Sequence, residues 1–176
     1  MDKLLAVFIK EPERAFHVRE LAGIVKKSPT TISKHLKRLQ KKGILVSERK
    51  LNHLLFKANT DGPLFKEIKR TQNIRQLQKS GVIAYLKEEY HEPEAMILFG
   101  SYAKGEDGPR SDIDLLIITP LKKEQELKRF EKKLGRPIQL FLKSREDIEK
   151  MKVKNKELLN NWINGVVVEG YWEVFT

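Results

Sequence analysis

The stretch ILFGSYAKGEDGPRSDIDLLII, residues 97–118, decides how the second half of this chain is read. An apolar run ends at Gly100-Ser101, ten mostly polar residues follow, and Asp112 and Asp114 then open a second apolar run. The pattern predicts strands over 94–99 and 112–118 with a short helical turn over 101–105 between them. On a strand, residues two apart share a face, so Asp112 and Asp114 emerge together, roughly 7 Å apart along the backbone. Ile113, Leu115 and Ile117 then bury the opposite face, while Leu116 and Ile118 continue the acid face inward. Two like charges held that close need a cation between them or a displaced pKa. A hard, oxygen-seeking ion such as Mg2+ suits such a pair when phosphate oxygens complete its shell. Gly100 lets backbone approach a ligand closely, amides at a helix start favour an anion, and the Ser101 hydroxyl adds a bond to phosphate. Either feature alone is common; together they describe a site for a metal-bearing triphosphate.

Beyond this stretch the elements keep alternating. The sequence predicts an amphipathic helix over 121–134, a strand over 137–142, and helices over 144–151 and 155–163. The apolar run Val166 to Val168 and the aromatic tail Tyr171, Trp172 and Phe175 are expected to close the core, with Trp162 and Trp172 inside it. The expected class is α+β or α/β with a small mixed sheet.

Gly100-Ser101, ten residues, then Asp112-Ile113-Asp114 resembles the signature of the nucleotidyltransferase superfamily that includes DNA polymerase beta. In particular, residues 80–170 resemble the minimal nucleotidyltransferases of archaea and bacteria. The resemblance implies transfer of a nucleoside monophosphate from a triphosphate, ATP first, to a hydroxyl with release of pyrophosphate. Asp112 and Asp114 would hold Mg2+ or Mn2+ as the catalytic metal, and Gly100 and Ser101 would hold the triphosphate. Lys104 and Arg110, in the intervening loop, would either neutralise phosphate charge or stand as solvated loop residues. Some members of the resembled family act as antitoxins that add AMP to a tyrosine of a ribonuclease toxin, which implies a toxin-like protein partner. One position departs from the pattern. Family members carry a third carboxylate on a later strand, and in GRPIQLFL that position is Gln139. An amide accepts no proton and binds Mg2+ poorly, and general-base help is worth roughly 10²- to 10⁴-fold. Glu146 and Asp147, a few residues on, are stand-ins or simply acids at a helix start.

The first third of the chain has a different character. Of the 35 Lys and Arg and 24 Asp and Glu, residues 1–59 hold 14 basic and 5 acidic, so nearly all of the +11 net charge lies there. Such asymmetry points to nucleic acid. Leu4, Leu5, Phe8 and Ile9 predict a helix ending near Pro12, and Val18, Leu21, Ala22 and Val25 predict a second. In KKSPTTISKHLKRLQKKG, Ser28 suits an N-cap, Pro29 the first helical position and Gly43 the stop. Ile32, Leu36 and Leu39 form the inward stripe. Thr30, Lys34, Lys37 and Lys41 point the other way, with Thr31 and Arg38 on the flanks. Two short strands, 44–48 and 53–58, surround a polar tip at Arg49, Lys50 and Asn52. Residues 1–59 resemble winged helix-turn-helix DNA-binding domains of bacterial and archaeal regulators, which implies double-stranded DNA as partner. The same lysine face would also serve as a solvated surface of a docking domain.

Asp61, Gly62 and Pro63 punctuate the chain. The expected division is a winged helix-turn-helix over 1–60, a helical connector over 61–79 broken near Ser80-Gly81, and a nucleotidyltransferase-like domain over 80–176. The helical stretch is compatible with a homodimer. No apolar run approaches the ~18 residues of a membrane span, and the absence of Cys fits a cytoplasmic protein without disulfides or thiolate metal sites. Three readings remain open: a transferase tethered to DNA, a transcriptional regulator whose degenerate transferase domain senses nucleotide, or a DNA-associated scaffold whose second domain supports dimerisation.

Overall fold

The computed structural model describes residues 2–50 and 53–174, so Asn52 of the expected wing tip and Phe175 of the tail lie outside the described residues. The chain divides into two compact units, Met1–Lys69 and Arg70–Thr176. No helix among the described residues is long and apolar enough to cross a membrane.

In the first unit, α1 (Lys3–Lys10) starts at Asp2, whose side chain accepts from the Leu4 amide at 3.0 Å. A two-residue strand β1 (Phe16–His17) leads into α2 (Val18–Val25) and α3 (Pro29–Lys41). The antiparallel β2 (Leu45–Lys50) and β3 (His53–Ala58) follow, giving a sheet in the order β1-β3-β2. The start of α3 is local chemistry: Ser28 accepts from the Thr31 amide at 3.2 Å, and Pro29 supplies a preset φ where no intrahelical donor is needed. Its end is at Gly43, which turns the chain at φ +72°. Leu4, Phe8, Phe16, Leu21, Ile32, Leu36 and Phe56 make the core. β1 has no counterpart in the sequence expectations, because two residues carry no readable period. It exists because Phe16, fully buried, pairs with Phe56 on β3.

α4 (Pro63–Ser80) supplies Phe65 to the first core and Leu77 to that of the second unit. Gly81, at φ +86°, separates it from α5 (Val82–Glu89). The elements β4 (Ala95–Phe99), α6 (Gly100–Lys104), β5 (Ile113–Ile118), α7 (Lys128–Leu134), β6 (Ile138–Lys143), α8 (Arg145–Lys154), α9 (Lys156–Ile163) and β7 (Val166–Gly170) follow. The sheet order is β6-β5-β4-β7, with β5–β6 parallel and the other pairs antiparallel. This is an α+β fold in which a winged helix-turn-helix is followed along the chain by a mixed four-stranded sheet.

The sheet is covered on both faces, which is why β4 and most of β5 are apolar at every position. Met96, Leu98, Ile113, Leu115 and Ile117 pack with Leu77, Leu86, Tyr102 and Phe130. Ile97, Phe99, Leu116 and Ile118 pack on the other side with Ile148, Leu159 and Trp162.

Two expectations are corrected. Residues 121–134 are helical only over Lys128–Leu134. The Tyr90 hydroxyl donates to the Lys123 carbonyl at 2.7 Å and the Tyr85 hydroxyl donates to Gln125 Oε1 at 3.2 Å, which ties the non-helical part of this stretch to α5 and the residue that follows it. Tyr171 does not close the core: it is 72% exposed, whereas Trp162 is fully buried and Trp172 is half-buried against the core around it.

Candidate functional site

The site is built where β4 ends and β5 begins. Phe99 is the last extended residue of β4, and Gly100 turns the chain at φ +73° into α6. Inside α6, Tyr102 and Ala103 are buried and act as anchors, which leaves Gly100 and Ser101 half-buried and Lys104 exposed. No side-chain hydrogen bond engages the Ser101 hydroxyl among the described residues. With only five residues, α6 has too few aligned peptides for a sizeable dipole. The feature that singles out Gly100 is therefore space. A Cβ there would overlap Asp114 Oδ2 and stand 3.2 Å from Asp114 Cγ, so the carboxylate lies directly over the glycine.

Asp114 is half-buried and Asp112 exposed. β5 begins at Ile113, so Asp114 is held in the ladder by strands on both sides, while Asp112 lies just ahead of it. Neither carboxylate has an ion-pair or hydrogen-bond partner among the described residues. Burial, and then the nearby charge of Asp112, raise the Asp114 pKa above the ordinary carboxylate value. The donor set suits a hard divalent cation: two adjacent carboxylates, one penalised in its charged form and neither neutralised by a lysine or arginine. Among the described residues no cluster of three or more His, Cys, Asp or Glu side chains is placed to hold a metal ion.

The strand register places Gln139 beside this pair. Phe99, Asp114 and Gln139 stand in one row across β4, β5 and β6, with Gln139 exposed. Glu146 and Asp147 lie elsewhere. They follow the far end of β6, where Ile118 pairs with Lys143, four rows or roughly 13 Å along the strand from Asp114. Their carboxylates serve the start of α8: Ser144 caps it, its amide donates to Asp147 Oδ2 at 3.1 Å, and this bond holds the Asp147 pKa below its usual value. They do not stand in for a third site carboxylate.

Lys104 and Arg110 are both exposed, at the end of α6 and in the loop beyond it. That loop is organised by residues the sequence reading passed over. Arg136 Nη1 donates to the Gly108 and Ser111 carbonyls at 2.6 and 3.0 Å, and Nη2 donates to Asp107 Oδ2 at 2.8 Å. Asn73 Nδ2 donates to Asp107 Oδ1 at 2.7 Å and to the Tyr102 carbonyl at 2.9 Å. Only one signal hinted at this, an acid inside a glycine-rich loop, and the sequence does not say which arginine meets it.

In the first unit, Thr30, Thr31, Lys34, Lys37, Arg38 and Lys41 are all exposed on α3, and Arg49 and Lys50 are exposed at the end of β2. Ile32, Leu36 and Leu39 are buried behind them. The Thr31 hydroxyl is within 2.8 Å of Ser28 Oγ and so belongs partly to the cap. Val18, Arg19, Pro29, Thr30, Ser33, Lys34 and Lys37 line a cavity of about 510 Å³. Arg19 and Ser33 thus join a basic, hydroxyl-bearing surface, and α3 itself contains no acid.

Comparison with protein families agrees with this architecture. Residues 79–165 match the nucleotidyltransferase domain family, and residues 17–46 match a winged helix-turn-helix DNA-binding family. A search of curated proteins returned no match.

Proposed function

We propose, from the premise that this chain carries a nucleotidyltransferase domain behind a winged helix-turn-helix DNA-binding domain, that the second unit takes a nucleoside triphosphate, ATP first, and transfers its nucleoside monophosphate to a hydroxyl acceptor. The observation that carries this reading is the pair Asp112 and Asp114, without ion-pair or hydrogen-bond partners among the described residues, with the Asp114 carboxylate packed directly against Gly100. Nucleotidyltransferases typically use a divalent metal, and Asp112 and Asp114 are the residues that would hold Mg2+ or Mn2+ here. When bound, such an ion supplies charge neutralisation to the phosphates and to the oxygens that attack and leave. Gly100 and Ser101 bind the triphosphate by close backbone approach and a free hydroxyl. Lys104 and Arg110 lie in reach of the same loop and add positive charge.

The acceptor oxygen bonds to the α-phosphorus, the bond to pyrophosphate breaks, and the acceptor proton must go to a base. Gln139, the neighbour of Asp114 in the register, cannot take it. Turnover is therefore slow, by roughly the 10²- to 10⁴-fold that general-base help supplies. The favoured acceptor is a protein hydroxyl, such as a tyrosine on a toxin-like partner, in line with the antitoxin members of the resembled group. The first unit brings this activity to duplex DNA through α3 and the wing residues Arg49 and Lys50.

Gln139 favours a second reading, in which the domain binds nucleotide without turning it over and the protein is a nucleotide-sensing transcriptional regulator. One experiment separates the two. The full-length protein is incubated with labelled ATP, CTP, GTP or UTP and Mg2+ or Mn2+, alone and with the product of a neighbouring gene. Label transfer that disappears in Asp112→Asn and Asp114→Asn supports the transferase. Transfer seen only after Gln139→Asp supports the sensor, and a nucleotide that leaves DNA affinity unchanged argues against it.

A further inference from the structure

We infer that Arg136 is a positioning residue for the metal–triphosphate site, setting where Asp112 stands through the loop that delivers it. The inference rests on the transferase reading above. Asp114 needs no such help, because β4 and β6 flank it in the ladder. Asp112 precedes the first ladder residue of β5, at the end of a loop containing Gly105, at φ +71°, and Gly108. Left to itself, a loop of this composition would let Asp112 sample many positions relative to Asp114.

The guanidinium removes that freedom. It grips the loop at Asp107, Gly108 and Ser111, the last being the residue bonded directly to Asp112. Asp107 in turn accepts from Asn73, which also donates to the carbonyl of Tyr102 in α6. A continuous hydrogen-bonded chain thus joins the helix bearing Gly100 and Ser101 to the peptide that carries Asp112. The Asp107 side chain is 1% exposed and that of Arg136 19%, so solvent competes little with these bonds. One residue after Arg136, the Pro137 carbonyl accepts from the Ile113 amide at 2.9 Å and fixes the other side of Asp112. A planar fork can serve a carboxylate and two carbonyls at once; a lysine ammonium is a point charge and cannot reproduce that arrangement.

The test compares Mn2+ binding by electron paramagnetic resonance, with and without ATP, in the full-length wild type and in Arg136→Lys. The variant keeps a positive charge against Asp107 but loses the fork. Measurements are made well below each protein's melting temperature. The expected result is Mn2+ affinity at least 5-fold weaker in a folded Arg136→Lys. Unchanged affinity in the folded variant overturns the inference, because a purely structural ion pair would lower the melting temperature without moving the affinity. Should Arg136→Lys not fold, the pair Asp107→Asn with Arg136→Gln removes both charges of this ion pair and takes its place. Wild-type affinity in that pair, or loss of fold in both variants, equally overturns it. A wild type that binds no Mn2+ removes the transferase reading itself and this inference with it, whereas a binding wild type with an indifferent Arg136→Lys removes the inference alone.

Discussion

Gly100→Ala tests the packing of the site most sharply, because the structure separates its cost into two parts. The first is backbone: Gly100 sits at φ +73°, where an L-residue costs about 1–2 kcal/mol. The second is contact. The new Cβ would overlap Asp114 Oδ2 and crowd Cγ at 3.2 Å, yet stand at an ordinary 3.5 Å from Asp114 Cβ. Only the carboxylate tip must therefore move, an off-rotamer displacement of about 0.5–1.5 kcal/mol. The total expected is about 1.5–3.5 kcal/mol. Both tryptophans, Trp162 and Trp172, lie in the second unit, so their fluorescence during urea unfolding reports that unit without the first. The decisive comparison repeats the substitution on an Asp114→Ala background, where the contact part disappears and the backbone part stays. The cost should fall by about 1 kcal/mol, a coupling that a double-mutant cycle isolates. Equal costs on the two backgrounds would refute the account of why this position is glycine.

Other predictions concern charge. Burial and Asp112 raise the native pKa of Asp114, so its ionised form weakens the metal-free fold. That penalty is absent below the unfolded-state carboxylate pKa of about 3.9 and complete above the native value. Asp114→Asn should therefore be more stable than wild type in metal-free buffer at pH 7, with the difference vanishing toward pH 4; a wild type at least as stable at pH 7 contradicts this. Asp147 has the opposite sign, since the Ser144 amide lowers its native pKa. Its contribution is present above about pH 3.9 and is lost as pH falls through the lower native value, so Asp147→Asn should flatten the acid-side decline of stability. An Asp147 carboxyl titrating at the ordinary value by NMR would remove the basis for that expectation. Lys37→Ala, on the exposed face of α3, should weaken duplex binding and reduce the slope of log affinity against log salt by about 0.9. An unchanged slope would take Lys37 out of the phosphate contacts.

Much of the architecture was legible before the structure because it rests on local chemistry. Ser28, Pro29 and Gly43 set the limits of α3, and the alternation of Ile113, Leu115 and Ile117 against Leu116 and Ile118 assigned the two faces of β5. The break at Ser80-Gly81 was equally visible. Non-local contacts hid the rest. Residues 121–127 carry helix-compatible amphipathicity, yet they run without a helix, with the Lys123 carbonyl and Gln125 Oε1 accepting from the hydroxyls of Tyr90 and Tyr85, some 30 to 40 residues earlier. Tyr171 looked like core because aromatic content alone does not say whether a chain end is covered. At the site, the spacing of Gly100, Ser101, Asp112 and Asp114 was readable, and so was the amide at Gln139. The clamp was not: Asn73, Asp107 and Arg136 are far apart in sequence, and their bonds exist only once α4, α6 and the start of β6 are assembled.

The central claim is that Asp112 and Asp114, with Gly100 and Ser101, hold a metal-bearing triphosphate. Calorimetric titration of ATP, CTP, GTP and UTP in the presence of Mg2+ into the full-length protein, and into an Asp112→Asn/Asp114→Asn variant, tests it most directly. The account predicts saturable binding of at least one triphosphate to the wild type, weakened more than about tenfold, or roughly 1.4 kcal/mol, in the variant. Absence of binding to the wild type, or equal binding to both proteins, would contradict it.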